Sequence, residues 1–155
     1  MSDFGNSFYV GQVKGVIKLI NPYAEIIDIT HDVPKFNIKA GQFILYSSYK
    51  FFPKGTIFLV VIDPGVGSER KAIVIQTENY YFVGPDNGLF GFLEKYKAYE
   101  IEVPESASPT FHARDVFAPI CAKISKDNNL EELLKPIEEI IKFDFRNVQN
   151  YGDVI

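Results

Sequence analysis

Cysteine is almost absent from this chain. Of 155 residues only Cys121 carries a thiol, which excludes an internal disulfide and suits a reducing, cytoplasmic setting. Histidine is nearly as scarce. His31 and His112 are the only two, and with one cysteine they do not make a zinc cluster of the usual spacing. No apolar run approaches the roughly 18 residues of a membrane span. The opening MSDFGNSFYVG has neither the basic nor the apolar segment of a signal peptide. Positive charge is in deficit, with 16 Lys and Arg against 20 Asp and Glu and a net charge of −4. No basic stripe appears, which argues against a nucleic-acid surface. What remains is ordinary for one globular domain with a real core: 46% hydrophobic and 23% charged residues. The expectation is a cytoplasmic domain with no membrane or nucleic-acid partner, no bound metal and no cofactor.

Helix-like and strand-like patterns alternate along the chain. Val13, Val16, Ile17 and Ile20 share one helical face, stopped by Asn21-Pro22. Glu25–Thr30 reads as a strand. Asn37 caps a helix through Ala40, Phe43, Ile44 and Ser47. Thr56–Ile62 is a nearly continuous apolar run, as in a strand buried on both faces. Lys71–Gln76 and Tyr80–Val83 read as two strands around Thr77-Glu-Asn79. Leu89–Tyr96 reads as a short helix, Ala98–Val103 as a strand, and Asp115–Ile124 as a helix with Pro119 near its start. Glu131–Ile141 reads as a last acidic, amphipathic helix or helical turn with a solvated face. This order predicts an α/β class, a layered α/β/α domain with a largely parallel central sheet. Asp3-Phe-Gly resembles the turn leaving a strand, and Gly152–Ile155 resembles the start of one.

Three places carry chemistry. In FLVVIDPGVGSER, residues 58–70, a buried run stops at Asp63, where ligands gather beyond the carboxyl ends of strands in open α/β sheets. Pro64 favours an extended Asp63, and Gly65 and Gly67 permit a close turn. Arg70 follows on a loop able to double back to the carboxylate; a turn acid with a solvated arginine fits the same residues. In TFHARDVFAP, residues 110–119, His112 precedes a helix and offers an imidazole suited to proton movement near neutral pH; taken alone, a packing or capping histidine is the preferred reading. Asp3, with glycines nearby, could accept two ribose hydroxyls, and Pro85-Asp-Asn-Gly88 is a similar turn; both also read as plain turn chemistry. His31, beside Asp32, reads as a local hydrogen-bonding residue. No Walker loop, GxGxxG or serine elbow competes with these.

The blocks SDFG…YVGQVKG, INPYAEIIDITHDVP, FFPKGT, VVIDPGVGSERKAIVI, GPDNGLFGFL and TFHARDVFAP occur in this order. Together they resemble the S-adenosyl-L-methionine hydroxide adenosyltransferases, hydrolytic relatives of the fluorinating and chlorinating enzymes. The resemblance runs from about Ser2 to Pro119 and continues weakly beyond. It implies that Asp63, Arg70 and His112 activate water, that Asp3 holds the ribose hydroxyls, that Phe36 lies against the nucleoside and that Tyr9 lines the methionine side. It gives Asn87 no definite role. S-adenosyl-L-methionine is then the substrate, cut to adenosine and L-methionine. Halogenating relatives place a tyrosine where Asp63 stands and a serine where Ala113 stands.

The resemblance further implies residues 1–142 as an N-terminal catalytic domain. Residues 143–155 would form a linker and the start of a β-rich C-terminal domain. The whole protein would be a homotrimer whose sites form between one subunit's first domain and its neighbour's second. Against the family pattern, the strand preceding Asp3 is missing, and the Gly5–Tyr9 segment is one residue short and lacks an acid. The competing expectation is a non-catalytic remnant of the same fold, a nucleoside-binding or trimer-forming module.

Overall fold

The computed structural model describes residues 1–147; the strand start expected at Gly152–Ile155 lies outside them. Five strands form one open sheet in the order β1-β3-β2-β4-β5: β1 (Ile57–Leu59), β2 (Ala72–Gln76), β3 (Tyr81–Pro85), β4 (Lys97–Ile101) and β5 (Lys135–Ile137). Side chains alternate across the sheet, as strand geometry requires. Ala72, Val74, Val83, Tyr99 and Ile101 face one core, and Ile73, Ile75, Phe82 and Ala98 face the other. Helices α1 (Phe8–Ile20) and α3 (Ala118–Lys126) cover the first face through Val13, Ile17, Cys121 and Ile124. Helix α2 (Ile38–Ser48) covers the second through Ala40 and Leu45, beside a cluster in which Phe58 stacks on Phe82 at 5.2 Å. The α/β/α layering is as expected. Ile73, Val74, Ile75, Phe82 and Val83 have no exposed surface, and each such burial contributes on the order of 1.5–3 kcal/mol.

The sheet is mixed rather than largely parallel. β1 and β3 are parallel, while β2–β3, β2–β4 and β4–β5 are antiparallel. The turn between β2 and β3 is too short for the crossover that a parallel pair needs. Three other expectations are corrected. Residues 25–30 form no strand; residues 25–29 and β1 line a common cavity of about 580 Å³ instead of pairing. Only at its end is the gap bridged, where Ser2 N–H bonds the Thr30 carbonyl and Ser2 pairs in parallel with Val61. Residues 89–92 form a turn and 93–96 are irregular instead of a helix, and Gly91 lies against the backbone of Phe143 where no side chain fits. The acidic helix shrinks to α4 (Leu130–Leu133), and Lys135–Ile137 becomes edge strand β5. Pro136 ends the helical run by lacking an N–H, and an edge strand tolerates it.

Helix α1 begins at Phe8, ahead of its apolar pattern, and the Asn37 cap is as expected, with Oδ1 accepting the Ala40 N–H at 2.9 Å. The helix expected over 115–124 opens with a widened turn at Ala113–Phe117 before α3. Pro119 cannot donate to the carbonyl one turn back, and an i→i+5 turn relieves the clash. Among the described residues no helix is long and apolar enough to cross a membrane.

Gln42, with no exposed surface, fastens the outgoing segment to the second core. Its amide donates to the Gly88 and Phe143 carbonyls, both at 2.6 Å, and accepts the Phe145 N–H at 2.7 Å. Replacing Gln42 with Leu strips three backbone groups of their partners. We expect a loss of about 3 kcal/mol in urea unfolding, with faster proteolysis at residues 141–147.

Candidate active site

The mixed sheet gathers its chemistry at one edge. Asp63 follows β1, and Arg70 precedes β2, which runs the other way, so both emerge at the same end. Two consecutive turns bring the chain back: Val66 N–H bonds the Asp63 carbonyl at 3.2 Å, and Ser68 N–H bonds the Gly65 carbonyl at 3.0 Å. Gly67, at φ 74°, passes so close to Pro109 that a Cβ would sit 2.3 Å from its carbonyl oxygen. That contact seats the returning loop against the segment leading to His112.

Arg70 grips Asp63 with two parallel bonds, Nε to Oδ1 at 2.9 Å and Nη2 to Oδ2 at 2.5 Å. Both side chains are more than nine-tenths buried. The same Nη2 donates to His112 Nδ1 at 2.9 Å. Arg70 packs over the Phe117 ring at 5.5 Å, and its Nη1 is buried with no hydrogen-bond partner among the described residues. The three residues singled out from distant parts of the sequence are therefore in one contiguous hydrogen-bonded chain. His112 is buried rather than outward-facing, at 5% exposure. The widened turn that follows it directs the ring inward to Arg70. Burial first, and the Arg70 charge second, push the His112 imidazole below its ordinary value. Because Nδ1 accepts from arginine, the neutral ring carries its proton on Nε2.

Asp3 and Phe36 are also brought together. Asp3 Oδ2 accepts the Phe36 N–H at 2.7 Å, and Phe36 sits at φ 61°, a rare backbone setting for a non-glycine residue. The Ser2–Val61 bridge sets Asp3 beside Ile62, the neighbour of Asp63. Phe36 remains over half exposed, with the Lys35 ammonium over its ring at 5.7 Å. Tyr9 lies apart from the Asp63 chain, in a ring cluster with Phe4, Phe8 and Phe111. It reaches the site only through Phe111, which precedes His112. No periodic pattern marks Phe4 or Phe111, whose contact at 6.0 Å is made by tertiary folding. Arg114 stacks on Phe111 at 4.8 Å and holds Asp115, whose second oxygen ties down the Ser108 N–H at 2.8 Å. Arg114 first, and the Ser108 bond among smaller causes, keep the Asp115 carboxyl below its ordinary value against the opposing effect of burial.

The remaining candidates are structural. His31 bonds Asp28 locally at 2.9 Å, as expected of a hydrogen-bonding loop residue, and also reaches Ser2 Oγ at 2.7 Å, 29 residues away in sequence. Burial pushes the Cys121 thiol up to about 12, leaving it inert. Among the described residues no three His, Cys, Asp or Glu side chains gather to hold a metal. The 580 Å³ cavity is mainly apolar and is not lined by Asp63, Arg70 or His112, so it is separate from this chemistry.

A titration of the His112 ring by NMR should give a midpoint below its ordinary 6.5. The unfolded chain then takes up a proton that the folded chain refuses as pH falls below that value. Folding stability should decline through this window, and the decline should be smaller in His112→Gln.

Comparison with known proteins matches residues 1–134 to the model of the SAM hydroxide adenosyltransferase N-terminal domain. A Methanocaldococcus jannaschii protein named (R)-S-adenosyl-L-methionine hydrolase is 39% identical, over 99% of this chain and 64% of its own length. A Nocardia brasiliensis fluorinase is 25% identical, over 99% of this chain and 62% of its own. A crystal structure of an uncharacterized conserved protein from Thermotoga maritima superposes with a TM-score of 0.87 at 44% identity, covering 92% of this chain and 59% of that one. The chain thus spans less than two thirds of the length of these relatives.

Proposed function

Because this chain belongs to the SAM hydroxide adenosyltransferase family, as its N-terminal domain, we propose that it carries the water-activating site of an S-adenosyl-L-methionine hydrolase. The observation behind this reading is the buried Asp63–Arg70–His112 chain. The sulfonium of the substrate already makes methionine a good leaving group. What neutral water lacks is nucleophilicity, with a pKa of about 15.7 in bulk.

Asp63 is the proton acceptor in this scheme. His112 Nδ1 is occupied by the Arg70 bond, so its neutral ring offers a donor at Nε2 and no free lone pair. Each Asp63 oxygen accepts one arginine N–H and keeps further lone-pair capacity. Arg70 fixes the direction of the Asp63 carboxylate with its two bonds and has Nη1 as a further donor. Water oriented by these donors passes its proton to Asp63 as its oxygen bonds to C5′. The C5′–S bond breaks with its electron pair going to sulfur, giving adenosine and neutral-sulfur L-methionine. Asp3 receives the ribose hydroxyls, Phe36 faces the nucleoside, and Tyr9 lines the methionine side.

Halogenation is disfavoured by the Asp63 carboxylate, which repels an anion, and by Ala113, which is buried and has no hydroxyl. In the whole protein we assign residues 1–142 to the catalytic domain and residues 143–155 to a linker entering a β-rich domain. We place the full-length protein in the cytoplasm as a homotrimer whose neighbouring subunit completes the site. The Asp3–Phe36 contact, which involves none of Asp63, Arg70 and His112, favours one second reading, a nucleoside-binding module without turnover.

The deciding experiment is product analysis after incubation with S-adenosyl-L-methionine. Adenosine and L-methionine should appear in equal amounts, with the rate at least about 100-fold lower in Asp63→Ala. Arg70→Lys, which loses the paired geometry, should lower kcat by about 10- to 100-fold and change KM little. Folded protein that binds adenosine but releases no product would overturn the hydrolase reading in favour of the binding module.

A further inference from the structure

The turn Pro85-Asp-Asn-Gly88 stands at the same sheet edge as Asp63, yet the mechanism above makes no use of it. The β1–β3 register, Leu59 opposite Val83, sets Ile62 beside Asp86 when carried three residues further. In a parallel ladder a carbonyl accepts from the N–H of the residue after its partner. The Thr56 carbonyl does so from Tyr81 at 3.0 Å, and Val60 N–H reaches the Val83 carbonyl at 2.9 Å in the complementary sense. On that pattern the Ile62 carbonyl is due a bond from the Asn87 N–H. That N–H instead closes the turn onto the Pro85 carbonyl at 3.1 Å.

The side chain takes its place. Asn87 Nδ2 donates to the Ile62 carbonyl at 2.9 Å, while Oδ1 accepts the Leu89 N–H at 3.4 Å and fixes which way the amide faces. Ile62 has no exposed surface, so its carbonyl depends on an internal partner. The peptide so held is the one joining Ile62 to Asp63, and Pro64 leaves the next position no N–H with which to steady it.

Resting on the hydrolase reading, we propose that Asn87 is a positioning residue for Asp63. Its amide adds a last rung to the β1–β3 ladder and fixes the peptide from which the carboxylate springs, keeping it in register with Arg70 and His112. Asn87 acts through the backbone and touches no reacting atom.

The test compares Asn87→Ala with Thr77→Ala. The latter removes a hydrogen-bonded side chain from the β2–β3 turn at the opposite edge. Hydrogen exchange of the Arg70 Nε–H, followed by NMR in the unliganded chain, reports on the Asp63–Arg70 pairing without requiring activity. We expect exchange about tenfold faster in Asn87→Ala and unchanged in Thr77→Ala. In turnover, kcat should fall about tenfold in Asn87→Ala with KM within about twofold. Unchanged exchange in Asn87→Ala, or equal acceleration in Thr77→Ala, overturns the proposal. If the unaltered chain turns over no substrate, the hydrolase reading fails while the exchange comparison still decides the role of Asn87. Should Asn87→Ala not fold, Asn87→Asp, which keeps the shape but lacks the N–H donor, carries the same measurement.

Discussion

The arrangement turns on one buried ion pair. Asp63 and Arg70 are withdrawn from water together, and neither tolerates burial without the other; removing one partner of such a pair costs about 3–5 kcal/mol. Their pairing is planar and two-pronged, so it fixes direction as well as distance. That requirement shapes what surrounds it: the loop must double back within seven residues, and Gly67 must lie flush against Pro109. His112 is then held by the same Nη2 that bonds Asp63.

Strand direction is the second constraint. An all-parallel sheet would bring Arg70 to the edge opposite Asp63, because it precedes β2. The antiparallel course of β2 returns it to the edge where β1 and β3 end. The short Ser2–Val61 pairing brings Asp3 to that edge as well. The sheet is thus a device for converging residues 3, 63, 70 and 87 without long connections. The outgoing segment is tied to the same neighbourhood, since Gln42 holds Phe143 and Phe145 and Asp86 accepts the Ile141 N–H at 2.9 Å.

Much of this was legible in the order of residues, because local physics leaves local marks. The Asn37 cap, the apolar run ending at Asp63 and the paired segments around Thr77-Glu-Asn79 are each written within a few positions. Other features depend on partners remote in sequence. The stretch 25–30 has a strand's composition, yet residues 25–29 and β1 line a common cavity instead of pairing. The stretch 89–96 has a helix's residues but forms none, and at Gly91 the backbone of Phe143 occupies the place where a side chain would stand.

The order of residues sets the class of fold, an apolar run that stops at a carboxylate, and a set of polar residues whose types suit proton transfer and sugar binding. Those follow from side-chain chemistry and short-range periodicity. Tertiary structure alone decided that Arg70 meets Asp63 with two bonds, that His112 faces inward with Nδ1 as acceptor, and that Asn87 completes a strand ladder. Each is a contact across the chain in a low-dielectric interior, where an unpaired polar group is too costly to persist. Which partners meet is therefore set by the packing of the whole domain rather than by any one segment.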